Sequence, residues 1–185
     1  MSMEDTCARL LRYLTAVVSI AFALAVPITA MADLITLKLP GITGDVTVEG
    51  QQGTIEVLSL TGTIQETVTG SAGVSRARRG PPVFSDLMIH KRLDSSSPAL
   101  FLALVKGSLL QSGVISFLHA KEGGFTKFFT ITLANVLLTK FATDDSENEV
   151  LAGHEQINLN YDKIQLKDEV TGQSACWDIL AARSC

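Results

Sequence analysis

The stretch SPALFLALVKG, residues 97–107, constrains this chain more than any other. A hydroxyl residue followed by proline starts a helix, because proline at the first helical position gives up no hydrogen bond. Ser97 and Pro98 stand in that order, and Gly107 follows Lys106 where a helix end needs a left-handed backbone. Between them Ala99-Leu100-Phe101-Leu102-Ala103-Leu104-Val105 is apolar almost all the way round. A helix with no wet face belongs between other layers, not on a surface, and about nine residues are far too few to cross a bilayer. The stretch predicts one short helix, about residues 98–106, buried in or flanking β structure.

Most of the remaining chain has β character. Ile35, Leu37 and Leu39 share one face of a period-two run that Pro40-Gly41 ends. Val46 and Val48 read as a short second strand, residues 54–60 as a third, and residues 63–68 as a further β run. Runs at 109–120 and 125–141 flank Lys121-Glu122-Gly123-Gly124, a hairpin turn. In the second of these the apolar face moves from Phe129, Ile131 and Leu133 to Val136 and Leu138, which places a bend or bulge near Asn135. The run 154–168 shows the same parity switch at Asp162-Lys163. Two bent strands beside one helix predict a mainly β fold, a small antiparallel β-barrel. Trp177 falls on a short last strand, 175–180, that packs on it.

The first thirty-two residues stand apart. Arg9 and Arg12 precede an apolar run, Pro27 breaks it, and Ala30-Met31-Ala32 forms a small-residue exit before Asp33. This is the pattern of a secretory signal peptide cleaved after Ala32, so the expected location is periplasmic or secreted, with no membrane span after cleavage. Residues 33–185 then suit one domain with a real core. The leader carries two basic and two acidic residues, so the net charge remains −4 without it. A mildly acidic chain with no basic stripe argues against nucleic acid as a partner. Cys176 and Cys185 are the only cysteines beyond the leader. They read equally as a disulfide, closing a short loop for about 2.5–3 kcal/mol, or as two free thiols near a frayed tail.

Residues 70–82, GSAGVSRARRGPP, predict a long exposed loop. Its Arg76, Arg78 and Arg79 read equally as contacts for an acidic partner surface and as solubilising charge. The acidic run 143–149 lacks the ligand spacing and glycine of a calcium loop and reads as solvated. His90, His119 and His154 fall on or beside different strands without metal-ligand spacing, and Lys91 and Arg92 beside His90 suggest an outward or interface-facing position. Neither a phosphate loop, a nucleophile elbow nor a paired-cysteine site is present. The chain carries no catalytic motif and implies no metal or cofactor. Such a domain acts by presenting surfaces.

Several short pieces, taken in order, resemble the haemolysin-coregulated proteins (Hcp), the tube subunits of type VI secretion systems. They are Ile55-Glu56-Val57-Leu58-Ser59; Phe84, Asp86 and Leu87 with Lys91, Asp94 and Ser97-Pro98; Phe129, Ile131, Leu133 and Val136; Glu155, Ile157, Leu159, Tyr161 and Ile164; and Trp177. The resemblance spans about residues 35–180. It implies a small β-barrel flanked by one helix, hexameric rings that stack into a tube, effector or spike proteins as partners, and no enzyme activity. The loop 70–82 matches by position the extended loop that reaches a neighbouring subunit or ring. The cysteine-bearing tail and the leader lie outside the family pattern. The other class of function open to such a chain is an exported monomeric domain that recognises a surface component through its loops.

Overall fold

The computed structural model describes residues 33–69, 78–144 and 153–185; the leader reading, Arg76 and most of the acidic run lie outside them. The elements in order are β1 (Leu34–Lys38), β2 (Ile55–Val57), β3 (Ser59–Thr61), β4 (Ile64–Thr69), β5 (Arg78–Phe84), β6 (Leu87–Arg92), α1 (Ser97–Val105), β7 (Leu110–Lys121), β8 (Gly124–Asp144), β9 (His154–Asn160), β10 (Lys163–Asp168), β11 (Ser174–Asp178) and β12 (Arg183–Ser184). The fold is mainly β with one helix, as the sequence predicts.

The spine is β8. One ladder runs β12-β11-β10-β8-β7-β1-β2, and a second runs β3-β6-β9 back to β8. Strand β10 pairs with the first half of β8, from Phe129 to Ala134, and β9 with the second half, from Leu137 onward. The change of partner falls at Asn135, which takes a left-handed backbone with φ 54°. Asparagine enters that region more readily than most side chains. Asn135 Nδ2 donates to Asp162 Oδ2 at 2.9 Å, and Asp162 N–H donates to the Ala134 carbonyl at 3.0 Å. This corner resets the parity of both strands, so Leu133 and Val136 are both fully buried although three positions apart. The bends predicted at Asn135 and Asp162-Lys163 are the two sides of one corner.

Strands β2 and β3 are one extended segment broken at Leu58, whose N–H donates to the His90 carbonyl at 2.8 Å. Because β2 pairs with β1 and β3 with β6, the strands wrap the core in a barrel-like course without forming one continuous closed sheet. The core between the ladders is aliphatic, centred on Leu37, Ile55, Ile89, Leu133, Ile157 and Leu159. Val46 and Val48 are not in a strand. They lie in a loop, held by Val46 N–H to the Thr54 carbonyl and Gly53 N–H to the Val46 carbonyl, that lays Gln51 over β1. Buried Thr36 there donates to Gln51 Oε1 at 2.8 Å, which satisfies the polar face of β1. Gly44 is required in this loop, since a Cβ would stand 2.5 Å from the Thr54 carbonyl oxygen.

Candidate functional site

The helix is fixed at its start by a buried polar cluster, not by a side-chain cap. The N-cap is Ser96, and no side chain caps the first turn. Ser97, the N-cap expected from sequence, is the first helical residue, and its hydroxyl is used elsewhere. It donates to Glu155 Oε1 at 2.9 Å and accepts the Asp94 N–H at 3.1 Å. Lys91 Nζ sits among Glu155 Oε1 at 2.5 Å, Asp94 Oδ1 at 2.8 Å, the Arg92 carbonyl at 2.7 Å and Ser97 Oγ at 3.3 Å. Lys91 and Glu155 are both 0% exposed and face each other across the β6–β9 ladder. Glu155 Oε2 is buried with no hydrogen-bond partner. The cluster joins β6, β9 and the first turn of α1, and so sets where the helix lies.

Sequence reasoning missed this cluster. Lys91 and Arg92 suggest an outward or interface-facing position for His90; strand alternation turns Lys91 inward and leaves His90 half-buried on the opposite face. The signal was available: Ile89 and Lys91 share a parity, as do Glu155 and Ile157. A charge of each sign on facing apolar positions is what a buried pair requires.

From that anchored start α1 packs along β8, burying Leu100 and Ala103. It ends as predicted at Gly107, φ 60°: the Ser108 N–H reaches the Ala103 carbonyl and the Gly107 N–H the Leu104 carbonyl, both at 2.9 Å. That double bond pattern is a Schellman stop. The helix is not enclosed on all sides, however. Phe101 is 53% exposed and Val105 65%, and Leu102, with Leu93 and Leu109 on the flanking segments, is also open. Phe101 makes an edge-to-face contact with Phe141, with ring centroids 6.0 Å apart. The helix therefore flanks the barrel, one apolar face inward and one uncovered.

Two further surfaces lie elsewhere in the fold. Strands β4 and β5 form a hairpin that pairs only with itself, so the segment predicted as a loop from 70 to 82 is strand from Arg78 onward. Arg78 and Arg79 stand opposite Thr69 and Val68 on it, and Arg76 lies outside the described residues. Where the root of that hairpin approaches β10 and β11, an apolar cleft of about 290 Å³ is lined by Ile64, Phe84, Ile164, Leu166, Cys176 and Trp177. Cys176 and Cys185 are disulfide-bonded, with Cα atoms 5.3 Å apart.

The histidines do not converge. His90 is on β6 and His154 at the start of β9, while exposed His119 stacks on Phe128 at 3.8 Å with Asp33 Oδ2 3.1 Å from its Nδ1. Among the described residues no group of three or more His, Cys, Asp or Glu could hold a metal ion, and no helix is long and apolar enough to cross a membrane.

Perturbed titrations are also dispersed and structural in cause. The Ser95 hydroxyl and N–H hold Asp45 below the usual carboxylate range. Hydrogen bonds from Lys167 and Thr130 do the same for Glu169, and Lys163 with the Ala181 N–H for Asp178. Burial, with Asp86 nearby, raises Tyr161. A barrel-like β domain whose unusual features are a half-open apolar helix, a separate two-stranded sheet and an apolar cleft presents surfaces rather than a catalytic centre among the described residues.

The comparisons agree with that class. The family model described as type VI secretion system effector, Hcp, matches residues 36–167, and the chain belongs to this family. The family is one of structural tube proteins, not of enzymes. Among solved structures, Hcp1 from Salmonella typhimurium superposes with a TM-score of 0.69 at 22% identity, covering 84% of this chain and 100% of that one. A structure described as a type six secretion system protein gives a TM-score of 0.73 at 18% identity, covering 83% and 100%. Hcp3 from Pseudomonas aeruginosa, described as a secreted protein, gives 0.59 at 18%, covering 79% and 96%. At such identities these likenesses show the fold. No curated protein sequence matches the chain.

Proposed function

We propose that this chain is a ring-forming subunit of the type VI tube kind, hexameric and able to stack, that carries or contacts effector or spike proteins and has its leader removed after Ala32. The observation that carries the reading is the open face of α1. Phe101, Leu102 and Val105 are apolar, close together on one helix and left about half exposed by their own chain. Full burial of such side chains stabilises by about 1.5–3 kcal/mol each, so a covering copy gains on the order of 1 kcal/mol per residue from what remains open. The β4–β5 pair, a two-stranded sheet of its own, supplies a second contact together with Arg76, Arg78 and Arg79.

The test is the absolute mass of residues 33–185 by light scattering on a sizing column. A mass near that of a hexamer supports the ring. Phe101→Glu with Val105→Glu is expected to give single chains with an unchanged β spectrum, because both side chains already face solvent. A ring that survives this pair of changes removes the helix face from the interface. A ring that survives Glu at Arg76, Arg78 and Arg79 likewise removes the hairpin. A single-chain mass for the unsubstituted protein at high concentration would favour the exported monomeric binding domain, with the cleft beside Trp177 as its recognition surface.

A further inference from the structure

The sheet ends at β11, and what covers that edge is very slight. Strand β12 is two residues long and pairs only Ser184 with Trp177 and Arg183 with Asp178. Residues 180–185 are all exposed, so no buried side chain holds them. The turn between the strands passes through Ala182 at φ 49°, a region that disfavours a residue with a Cβ. Its hydrogen bonds are local: Ala181 N–H to Asp178 Oδ1 at 2.9 Å, and longer contacts at 3.3 Å from Ala182 N–H to the Ile179 carbonyl and from Cys185 N–H to the Cys176 carbonyl. The single covalent tie is the disulfide from Cys176, within β11, to Cys185 just past the end of β12.

Strand β11 does not share this fragility. It pairs with β10 over five positions, from Lys163↔Asp178 to Lys167↔Ser174. Lys163 forms an ion pair with Asp178 at 2.7 Å, the Ile179 N–H donates to the Asp162 carbonyl at 2.9 Å, and Trp177 and Ile179 pack on the core. Opening the disulfide therefore releases the tail without releasing β11. An unpaired strand edge is a template for another strand.

We propose that the Cys176–Cys185 disulfide is a redox-sensitive clasp on the sheet edge. Oxidised, it holds β12 on β11 and covers the Trp177–Asp178 end of that edge. Reduced, it frees residues 180–185 and leaves β11 able to accept a further strand beside the apolar cleft, in whose wall Cys176 lies. The step is ordinary thiol–disulfide exchange. A thiol reductant of the glutathione class supplies two electrons and two protons, the Sγ–Sγ bond breaks to give two thiols, and the reductant leaves as its own disulfide. Cys185 is exposed, so an attacking thiolate can reach it. The device matters wherever the protein passes between reducing and oxidising compartments.

The experiment uses the protein as purified, titrated through glutathione buffers, with thiols counted by alkylation and amide exchange followed by mass spectrometry. The expected result is half-reduction within the range of glutathione poise found between cytosol and exported compartments. Exchange in residues 180–185 should then rise at least tenfold while β10, most of β11 and the Ile179 amide stay protected. Trp177, the only tryptophan, should report the loss of its β12 neighbour as a red shift in emission. The Cys176→Ser, Cys185→Ser protein should behave as the reduced form, and chemical reduction of the unsubstituted chain serves if that variant fails to fold. Two outcomes would overturn the proposal. One is unchanged exchange in 180–185 with both thiols shown to be free, and the other is a disulfide that yields only when the whole domain unfolds.

Discussion

Replacing Lys91 by methionine removes the cation from a site where nothing else can stand in for it. Glu155 Oε1 would keep only the Ser97 hydroxyl, and Oε2 has no partner even in the intact protein. Breaking a buried pair from one side costs about 3–5 kcal/mol, because the remaining charge is left without compensation. The rest of the cluster limits the damage. Asp94 keeps the Ser96 N–H and hydroxyl, and Ser97 keeps the Asp94 N–H. With a urea m-value of about 2 kcal/mol/M, the expected loss is a fall in the unfolding midpoint of about 1.5–2.5 M. The companion variant Lys91→Met, Glu155→Leu removes both charges and fills the space with apolar volume. It is expected to recover most of that loss, since replacing a buried pair by packed hydrophobic side chains is often neutral or better. Equilibrium urea curves followed by circular dichroism and by Trp177 emission measure both variants. A single variant that loses less than about 1 kcal/mol, or a double variant no more stable than the single one, would refute the account of a buried charge that must be matched.

Acid should destabilise the domain from the carboxylate side. Asp45, Asp168, Glu169 and Asp178 all have folded pKa values below their ordinary 3.8 or 4.5, so the stability they contribute is present above those values and is lost as pH falls through and below them. In alkali the sign reverses for Tyr161, whose hydroxyl donates to the Ser85 carbonyl at 3.3 Å. Its raised pKa means stability declines once pH passes 10.0, and thermal melts across pH 2–11 should show both flanks. The leader reading predicts that protein recovered from outside the cytoplasm begins at Asp33, which intact-mass measurement checks; a chain still carrying residues 1–32 would overturn it.

Where periodicity was clean the fold could be read from the sequence directly. The corner at Asn135 and Asp162 is a case in which the breakdown of period two carried the information, because a parity switch in two runs has to be absorbed by one backbone irregularity in each. The segment 70–82 was harder. Its glycine, serine, proline and arginine give no alternation, yet β5 forms there because β4 offers an edge, a tertiary fact that local composition does not contain. The loop at 43–54 shows the converse: Val46 and Val48 alternate like a strand, but the tight approach of Gly44 to Thr54 bends the backbone away from any ladder. Lys91 and Glu155 were hidden for a different reason. A rule that places charges outside has no term for two charges that meet, and the partner of each lies sixty-four positions away.

The helix poses the sharper question of what a hydropathy pattern measures. Apolar residues all round α1 predict a helix with no solvent face, and within one chain that prediction fails, since Phe101, Leu102 and Val105 are open. Hydropathy reports whether a side chain is selected to leave water, not which molecule takes it out. Burial by one's own barrel and burial by another copy leave the same mark on the sequence. The two faces of α1 then have different origins. Leu100 and Ala103 are covered as the chain folds, and on the proposed reading the outer face is covered only when chains meet. The Lys91–Glu155 cluster bears on both, because it fixes the first turn of the helix against β6 and β9 and so sets the position from which the outer face is presented. A change in that cluster should therefore weaken ring assembly as well as folding, whereas a change at Phe101 or Val105 should weaken assembly alone.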